Sequence, residues 1–268
     1  MIAFRSRFGF SAAPFTRELT VEQRFSLGFF DEALSALVRA VEQRSSAALV
    51  APAGTGKTAL LRALVHKLPE ARYRVRYVKV TDLSKRDMCR EIAVACGAEP
   101  AGSYPMLVRR LQERFLANSS TDGVRSVLIL DEAHDLRPDV LDMMRILTNF
   151  DMDSRLVLSV LLAGQTPLRD LLRRDAHESI ARRLGHIASL RLLTRDESCR
   201  YVAHRSTIAG AATLPFDPGA LDALFEIARG NLRAIDQLAL KALEIAHDAD
   251  VSVVDSNHVA QARRLLFP

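Results

Sequence analysis

The spacing of hydrophobic and polar positions changes several times along the chain. Residues 31–44 carry Leu34, Leu37, Val38 and Val41 at helical spacing on one face. Residues 47–50 form a short unbroken apolar run, the pattern of a strand covered on both sides. Amphipathic helical spacing returns over 60–68 and stops at Pro69. Over 73–80 basic and apolar residues alternate. That predicts a strand with Tyr73, Val75 and Tyr77, joined by Val80, on one face and Arg74 and Arg76 on the other. Ser84 is placed to cap a helix that runs to Cys96 and stops at Gly97. A further helix is expected over 103–117, then a polar loop over 118–123. Apolar runs at 126–130, 155–163 and 187–192 predict three more strands. A helix over 138–149 separates the first two, and short helices near 167–173 and 176–184 separate the last two. Strands alternating with helices predict an α/β fold: a parallel sheet with helices on both faces.

After Thr194 the helical period stands alone. Thr194 followed by Glu197 spells a capping box, and Phe216-Asp217-Pro218 supplies a cap with Pro at the first helical position. Helices are expected near 196–209, 218–228, 232–246 and 256–266. The expected organisation is an α/β domain over 1–193 and a small all-helical domain over 194–268, without internal repeats. No apolar run approaches the roughly 18 to 20 residues that span a bilayer. The first ten residues contain Arg5 and Arg7 but no apolar segment of the secretory kind. Cys89, Cys96 and Cys199 have no metal-ligand spacing; the first two, seven apart on one helix face, read as buried thiols. A cytoplasmic protein without membrane contact is the expectation. The net charge of +5, dominated by arginine, permits an anionic partner such as DNA.

The stretch Ala51-Pro52-Ala53-Gly54-Thr55-Gly56-Lys57-Thr58 lies between a predicted strand and a predicted helix. Two glycines let the backbone curl so that successive N–H groups face phosphate oxygens, and the following helix adds its dipole. Lys57 brings a mobile cation to the β- and γ-phosphates, and the Thr58 hydroxyl is suited to Mg²⁺. The backbone from Pro52 through Thr58 to Ala59 is therefore the expected ATP cradle. The pattern usually opens with glycine, and Ala51 departs from it. Asp131-Glu132 follows the apolar strand at 126–130, so parallel strands would bring it beside the phosphate loop. Asp131 is expected to hold Mg²⁺ through water, and Glu132 to orient or deprotonate the attacking water. His134 reads as a supporting or surface residue. Gln165, ending an apolar strand, is suited to sense hydrolysis at the γ-phosphate. Arg182 and Arg183 are candidates for an arginine acting in trans on a neighbouring subunit's nucleotide. Arg233, one turn into a helix that follows Gly230-Asn231, is suited to reach the γ-phosphate.

Together these features resemble the AAA+ ATPases, and within them the ExeA-type branch that includes the TniB, TnsC and IstB transposition regulators. The resemblance runs from Phe8-Gly9-Phe10 and Pro14-Phe15 through the phosphate loop and Leu130-Asp131-Glu132-Ala133-His134. It continues through Leu162-Ala163-Gly164-Gln165, Arg182-Arg183-Leu184 and Gly230-Asn231-Leu232-Arg233. It implies a five-stranded parallel sheet in AAA+ order with a helical lid, and ATP at a subunit interface in rings or helical filaments. It assigns Gln165 to the sensor-1 position, Arg182 and Arg183 to the arginine-finger region and Arg233 to sensor 2. Thr81 resembles the polar residue that restrains the catalytic glutamate.

The function so implied is ATP-controlled assembly on double-stranded DNA, recruitment or activation of a transposase, and disassembly on hydrolysis. Lys79, Thr81, Lys85, Arg86 and Arg90, on and after the second strand, are the expected DNA-facing residues, contacting phosphates rather than bases. The alternatives are a secretion-type assembly ATPase, a replication-initiator or helicase-loader ATPase, and a binding module with an inactive nucleotide site. The aromatic opening is suited equally to covering an adenine ring and to sealing a core.

Overall fold

The computed structural model describes residues 2–120, 123–152, 154–174 and 177–266. Thr121 and Asp122 of the expected 118–123 loop, and Ala176 of the expected 176–184 helix, lie outside them. In chain order the elements are α1 (Ile2–Arg7), α2 (Gly28–Glu42), β1 (Ser46–Val50), α3 (Lys57–Lys67), β2 (Tyr73–Lys79) and α4 (Lys85–Cys96). Then come α5 (Tyr104–Ser120), β3 (Arg125–Asp131), α6 (Pro138–Leu147), β4 (Leu158–Gly164), α7 (Pro167–Leu172), α8 (Glu178–Ala181) and β5 (Leu184–Ser189). The chain ends with α9 (Arg195–Ile208), α10 (Pro218–Ala228), α11 (Leu232–Asp248) and α12 (Ser256–Leu266). The structure divides into two compact units. One comprises Gly28–Pro52 and Lys57–Leu190, the other Met1–Leu27, Ala53–Gly56 and Arg191–Pro268.

The first unit is an α/β sheet domain. Its five strands are ordered β2-β3-β4-β1-β5, and every neighbouring pair is parallel. The central strands are the apolar runs of the sequence: β4 is buried throughout, and in β3 only Arg125 is not. Register aligns Lys79 with Asp131, Asp131 with Ala163, and Val50 with Gly164. The carboxyl ends of β1, β3 and β4 therefore reach the same edge, where an open parallel sheet places its ligands. Val78 of β2 and Val80 just after it join the main core and Tyr73 is buried at the start of the strand, whereas Tyr77 is 49% exposed. Strand alternation puts Arg74, Arg76 and Val78 on one face, where the two arginines border a recess with Cys96, Arg114 and Phe115. The expected side assignment of Val80 is corrected accordingly. Cys89 and Cys96 are buried free thiols, and burial pushes Cys89 up to about 12.

The second unit is helical and includes the first 27 residues, whereas a linear division at 193 places them with the sheet domain. Apolar area accounts for that placement. Phe8, Phe10 and Phe15 are buried, and Phe15 meets Phe216 edge-to-face at 5.9 Å. The Ser11 and Ala12 N–H groups donate to Ala209 O at 2.8 and 3.0 Å. The aromatic opening thus seals a core within this unit. Arg205, buried, donates to Tyr201 Oη at 3.1 Å and to Thr16 O at 2.5 Å. Tyr201 in turn donates to Asp236 at 2.9 Å, and burial pushes that carboxyl up to about 6 despite Arg205. Among the described residues no helix is long and apolar enough to cross a membrane.

The capping box predicted at α9 is present. Glu197 N–H donates to Thr194 Oγ1 at 3.3 Å, and Thr194 N–H to Glu197 Oε2 at 2.9 Å. Arg191 adds a two-pronged contact to the same carboxylate at 2.7 and 2.8 Å. Chiefly through Arg191, Glu197 is held at about 2, below its ordinary 4.5. A depressed carboxyl contributes stability that is complete above the unfolded value and is lost as pH falls toward the folded one. Thermal stability of the wild type is therefore expected to fall more steeply between about pH 4.5 and 2 than that of Glu197→Gln. Parallel acid limbs in melting curves would reject this role.

Candidate active site

Between β1 and α3 the chain turns through the glycine-bearing loop. The Ala51 N–H donates to Gly164 O at 3.0 Å, extending the β1–β4 pairing by one residue. Ala51 is fully buried and its φ is not positive, so this position makes no demand that only glycine meets. Gly54 and Gly56 have φ of +74° and +91°, in the left-handed range that glycine occupies without a Cβ penalty. Thr55 is buried. Lys57 and Thr58 form the first turn of α3, Lys57 buried and Thr58 exposed.

At the end of β3, Asp131 is buried and Glu132 half-buried. The Lys57 ammonium lies 3.0 Å from Asp131 Oδ1 and 2.8 Å from Glu132 Oε2. Among the described residues Lys57 Nζ and Glu132 Oε2 have no aligned hydrogen-bond partner, so this contact is chiefly one of charge. Asp131 Oδ1 also accepts the Glu132 N–H at 2.8 Å, and Asp131 Oδ2 accepts the Tyr77 hydroxyl at 2.9 Å. Glu132 has φ 58° and ψ 35°. Such a conformation costs a non-glycine residue about 1 kcal/mol or more and concentrates at functional sites. It turns the chain sharply at the strand end into the short 3-10 turn Ala133–Asp135.

His134 is the middle residue of this turn, its side chain 13% exposed and its Nδ1 3.6 Å from Glu132 Oε2. Its Nδ1 accepts the Gln165 N–H at 3.3 Å, linking the ends of β3 and β4. Of the two readings of His134, the supporting one matches this position. Gly164 permits the approach, because a Cβ there would lie 2.9 Å from His134 N. Gln165 is half-buried at the end of β4.

Within the helical unit, residues 53–56 meet the start of α11. Asn231 caps that helix, its Oδ1 accepting the Ala234 N–H at 3.1 Å, while its Nδ2 donates to Ala53 O at 2.8 Å. The Arg233 N–H donates to Gly54 O at 3.3 Å, and the Arg233 side chain is exposed. A Cβ on Gly54 would sit 2.2 Å from Asn231 Oδ1, at a φ that side chains rarely adopt. Gly54→Ala is expected to destabilise the protein by about 1–3 kcal/mol. Adding Asn231→Ala should relieve the clash but not the backbone strain. A melting temperature unchanged in Gly54→Ala would contradict this close fit.

Arg182 ends α8, exposed, and donates to Glu178 at 2.7 and 3.2 Å; Arg183 follows it, half-buried. Lys79 and Thr81 are exposed at the end of β2. Lys85 lies 5.6 Å from the Tyr104 ring centroid. Arg86 donates to Gly102 O at 3.1 Å, and Arg90 pairs with Asp87 at 3.2 Å. Of these five, Lys79 is the strand-register partner of Asp131, with its side chain exposed, and Arg86 and Arg90 are engaged on α4 and its neighbouring loop. Sequence reasoning passed over Tyr77 and Asn231. Asn231 carried a signal, since an Asn after Gly230 and before an apolar-periodic run is a helix cap.

The donor set suits a magnesium nucleotide. Two left-handed glycines, a helix N-terminus and a lysine fit a polyphosphate. Thr58 and Asp131 offer the few oxygen ligands that Mg²⁺ takes from protein when phosphates supply others. The profile of the AAA domain family matches residues 39–172. General secretion pathway protein A of Aeromonas hydrophila is 30% identical over 242 residues, 88% of this chain, and the chain spans 43% of that relative's length. The crystal structure of Cdc6p from Pyrobaculum aerophilum superposes with a TM-score of 0.73 at 17% identity, covering 94% of this chain and 70% of that one. Orc1 from Aeropyrum pernix, solved in complex with DNA, gives 0.68 at 21%, covering 91% and 67%. At those identities the two structures establish the fold, a three-layer α/β sheet domain with a helical part. With half its length matched by the family profile, the chain belongs to the AAA domain family, as an AAA+ ATPase.

Proposed function

We propose that this ATPase regulates DNA transposition: it binds Mg²⁺-ATP, assembles as a ring or helical filament on double-stranded DNA, and recruits or activates a transposase until hydrolysis releases it. The observation that carries the ATP-driven part is the convergence of Lys57, Asp131 and Glu132 within 3.0 Å at the carboxyl edge of the sheet. In this reading Asp131 and Thr58 hold the metal and Glu132 acts on the attacking water. Gln165 and Arg233 sense the terminal phosphate, the helical unit serves as the lid, and Arg182 or Arg183 completes a neighbouring subunit's site. The motif resemblance to TniB, TnsC and IstB supports the transposition role, and a DNA-bound structural neighbour supports the polymer on which it acts. Of the proposed DNA contacts, Lys79, Thr81 and Arg86 are exposed.

A second reading, an ATPase that assembles secretion machinery, is favoured by the relative General secretion pathway protein A. Electron microscopy with duplex DNA, with and without a slowly hydrolysed ATP analogue, separates the two. Nucleotide-dependent rings or filaments on DNA are the expected outcome. Assemblies indifferent to DNA would overturn the transposition reading in favour of a protein-directed ATPase.

A further inference from the structure

Tyr77 is poorly explained as a packing residue. It belongs to the edge strand β2 and is 49% exposed, whereas Tyr73, four residues earlier on the same face, is 7% exposed. Its hydroxyl nevertheless makes a defined contact, donating to Asp131 Oδ2 at 2.9 Å. Strand register pairs Tyr77 with Ile129, two residues short of Asp131, so the long ring spans the offset along the sheet edge. The other Asp131 oxygen is engaged by the Lys57 ammonium and the Glu132 N–H. Removing the hydroxyl would take this contact from Oδ2 and leave those at Oδ1.

We propose that Tyr77 is a positioning residue for the metal site: its hydroxyl sets the orientation in which Asp131 meets Mg²⁺. This rests on the magnesium-nucleotide reading of the site. A phenol has one proton to donate and a carboxylate oxygen has two lone pairs. Tyr77 can therefore fix Oδ2 and still leave it able to accept from a metal-bound water. Outer partners of this kind typically change metal affinity by about 10- to 100-fold when removed. Phenylalanine at 77 keeps the ring and its contacts and removes only the donor.

The test uses the full chain, a fluorescent non-hydrolysable ATP analogue, and Mn²⁺ as a paramagnetic stand-in for Mg²⁺. In Tyr77→Phe, Mn²⁺ affinity in the presence of the analogue is expected to fall about 10-fold. Analogue affinity in chelator and the melting temperature should match wild type. Unchanged Mn²⁺ affinity would overturn the proposal. So would an equal loss of metal-free analogue affinity, since that marks a structural role. Asp131→Asn serves as the reference for full loss of metal binding. A wild-type chain that binds no analogue under either condition would reject the nucleotide reading itself, an outcome distinct from failure at Tyr77.

Discussion

Lys57→Ala is expected to lower ATP affinity by at least about 100-fold, because a charge-assisted contact to phosphate in a shielded site is worth several kcal/mol. Lys57 is buried, and its ammonium is directed at the position that Asp131 and Glu132 share. The substitution has a second consequence. Asp131, with its side chain only 4% exposed, and Glu132, 29% exposed, would then lie together without their common cation. Breaking a fully buried pair costs about 3–5 kcal/mol. The exposure of Glu132 reduces that, because solvent screens part of the repulsion. A lower melting temperature is therefore expected together with lost binding, and nucleotide titrations belong well below it. Lys57→Arg sharpens the test. It keeps a cation near the two carboxylates, so the melting temperature should recover most of the loss. The planar guanidinium does not reproduce a compact ammonium beside a curled loop, so ATP affinity should stay low. A folded Lys57→Ala chain that binds ATP as wild type does would reject the phosphate-loop assignment.

The sequence carried those parts of the site that are local in the chain. The loop from Ala51 to Thr58 is legible because its chemistry and its strand–helix context fall within about twenty residues. Asp131 and Glu132 are legible because a wholly apolar strand ends on them. The order of the strands came with the family resemblance, since a period of two says nothing about which strands become neighbours. What stayed hidden depends on long separations. Tyr77 meets a residue 54 positions away, and Asn231 one 178 positions away. Neither partner leaves a mark on the spacing around it. The placement of the first 27 residues is hidden for the same reason, because their contacts are with Phe216 and Ala209. β5 starts at Leu184 rather than near 187, since its pairing with β1 is irregular at Ser46 and Ala47 and a Gly-His start does not look like a strand. The left-handed Glu132 was likewise invisible: nothing in Asp-Glu-Ala-His announces a positive φ, and the structure alone shows how sharply the strand end turns.

That turn bears on the expected behaviour of Glu132→Gln. Glutamine has the same length as glutamate and faces the same left-handed backbone demand, so the turn, the Asp131 contact to the 132 N–H and the packing of Gly164 on His134 should all persist. Only the charge changes. A neutral amide cannot take a proton from water, and loss of a general base typically costs 10²- to 10⁴-fold in rate. ATP hydrolysis should fall by that order. Binding should move the other way. Glu132 Oε2 lies 2.8 Å from Lys57, so it competes with phosphate oxygens for the ammonium. Removing that rival charge should strengthen ATP binding by a few-fold, the scale of a partly exposed ion pair. The two effects together predict a variant that loads readily and empties slowly, and its nucleotide-dependent assemblies should outlast those of the wild type. Single-turnover hydrolysis and equilibrium binding separate the two terms. Wild-type hydrolysis in Glu132→Gln would remove Glu132 from the reaction. Slowed hydrolysis with weakened binding would instead mean that the carboxylate orients Lys57 toward the nucleotide more than it competes for it.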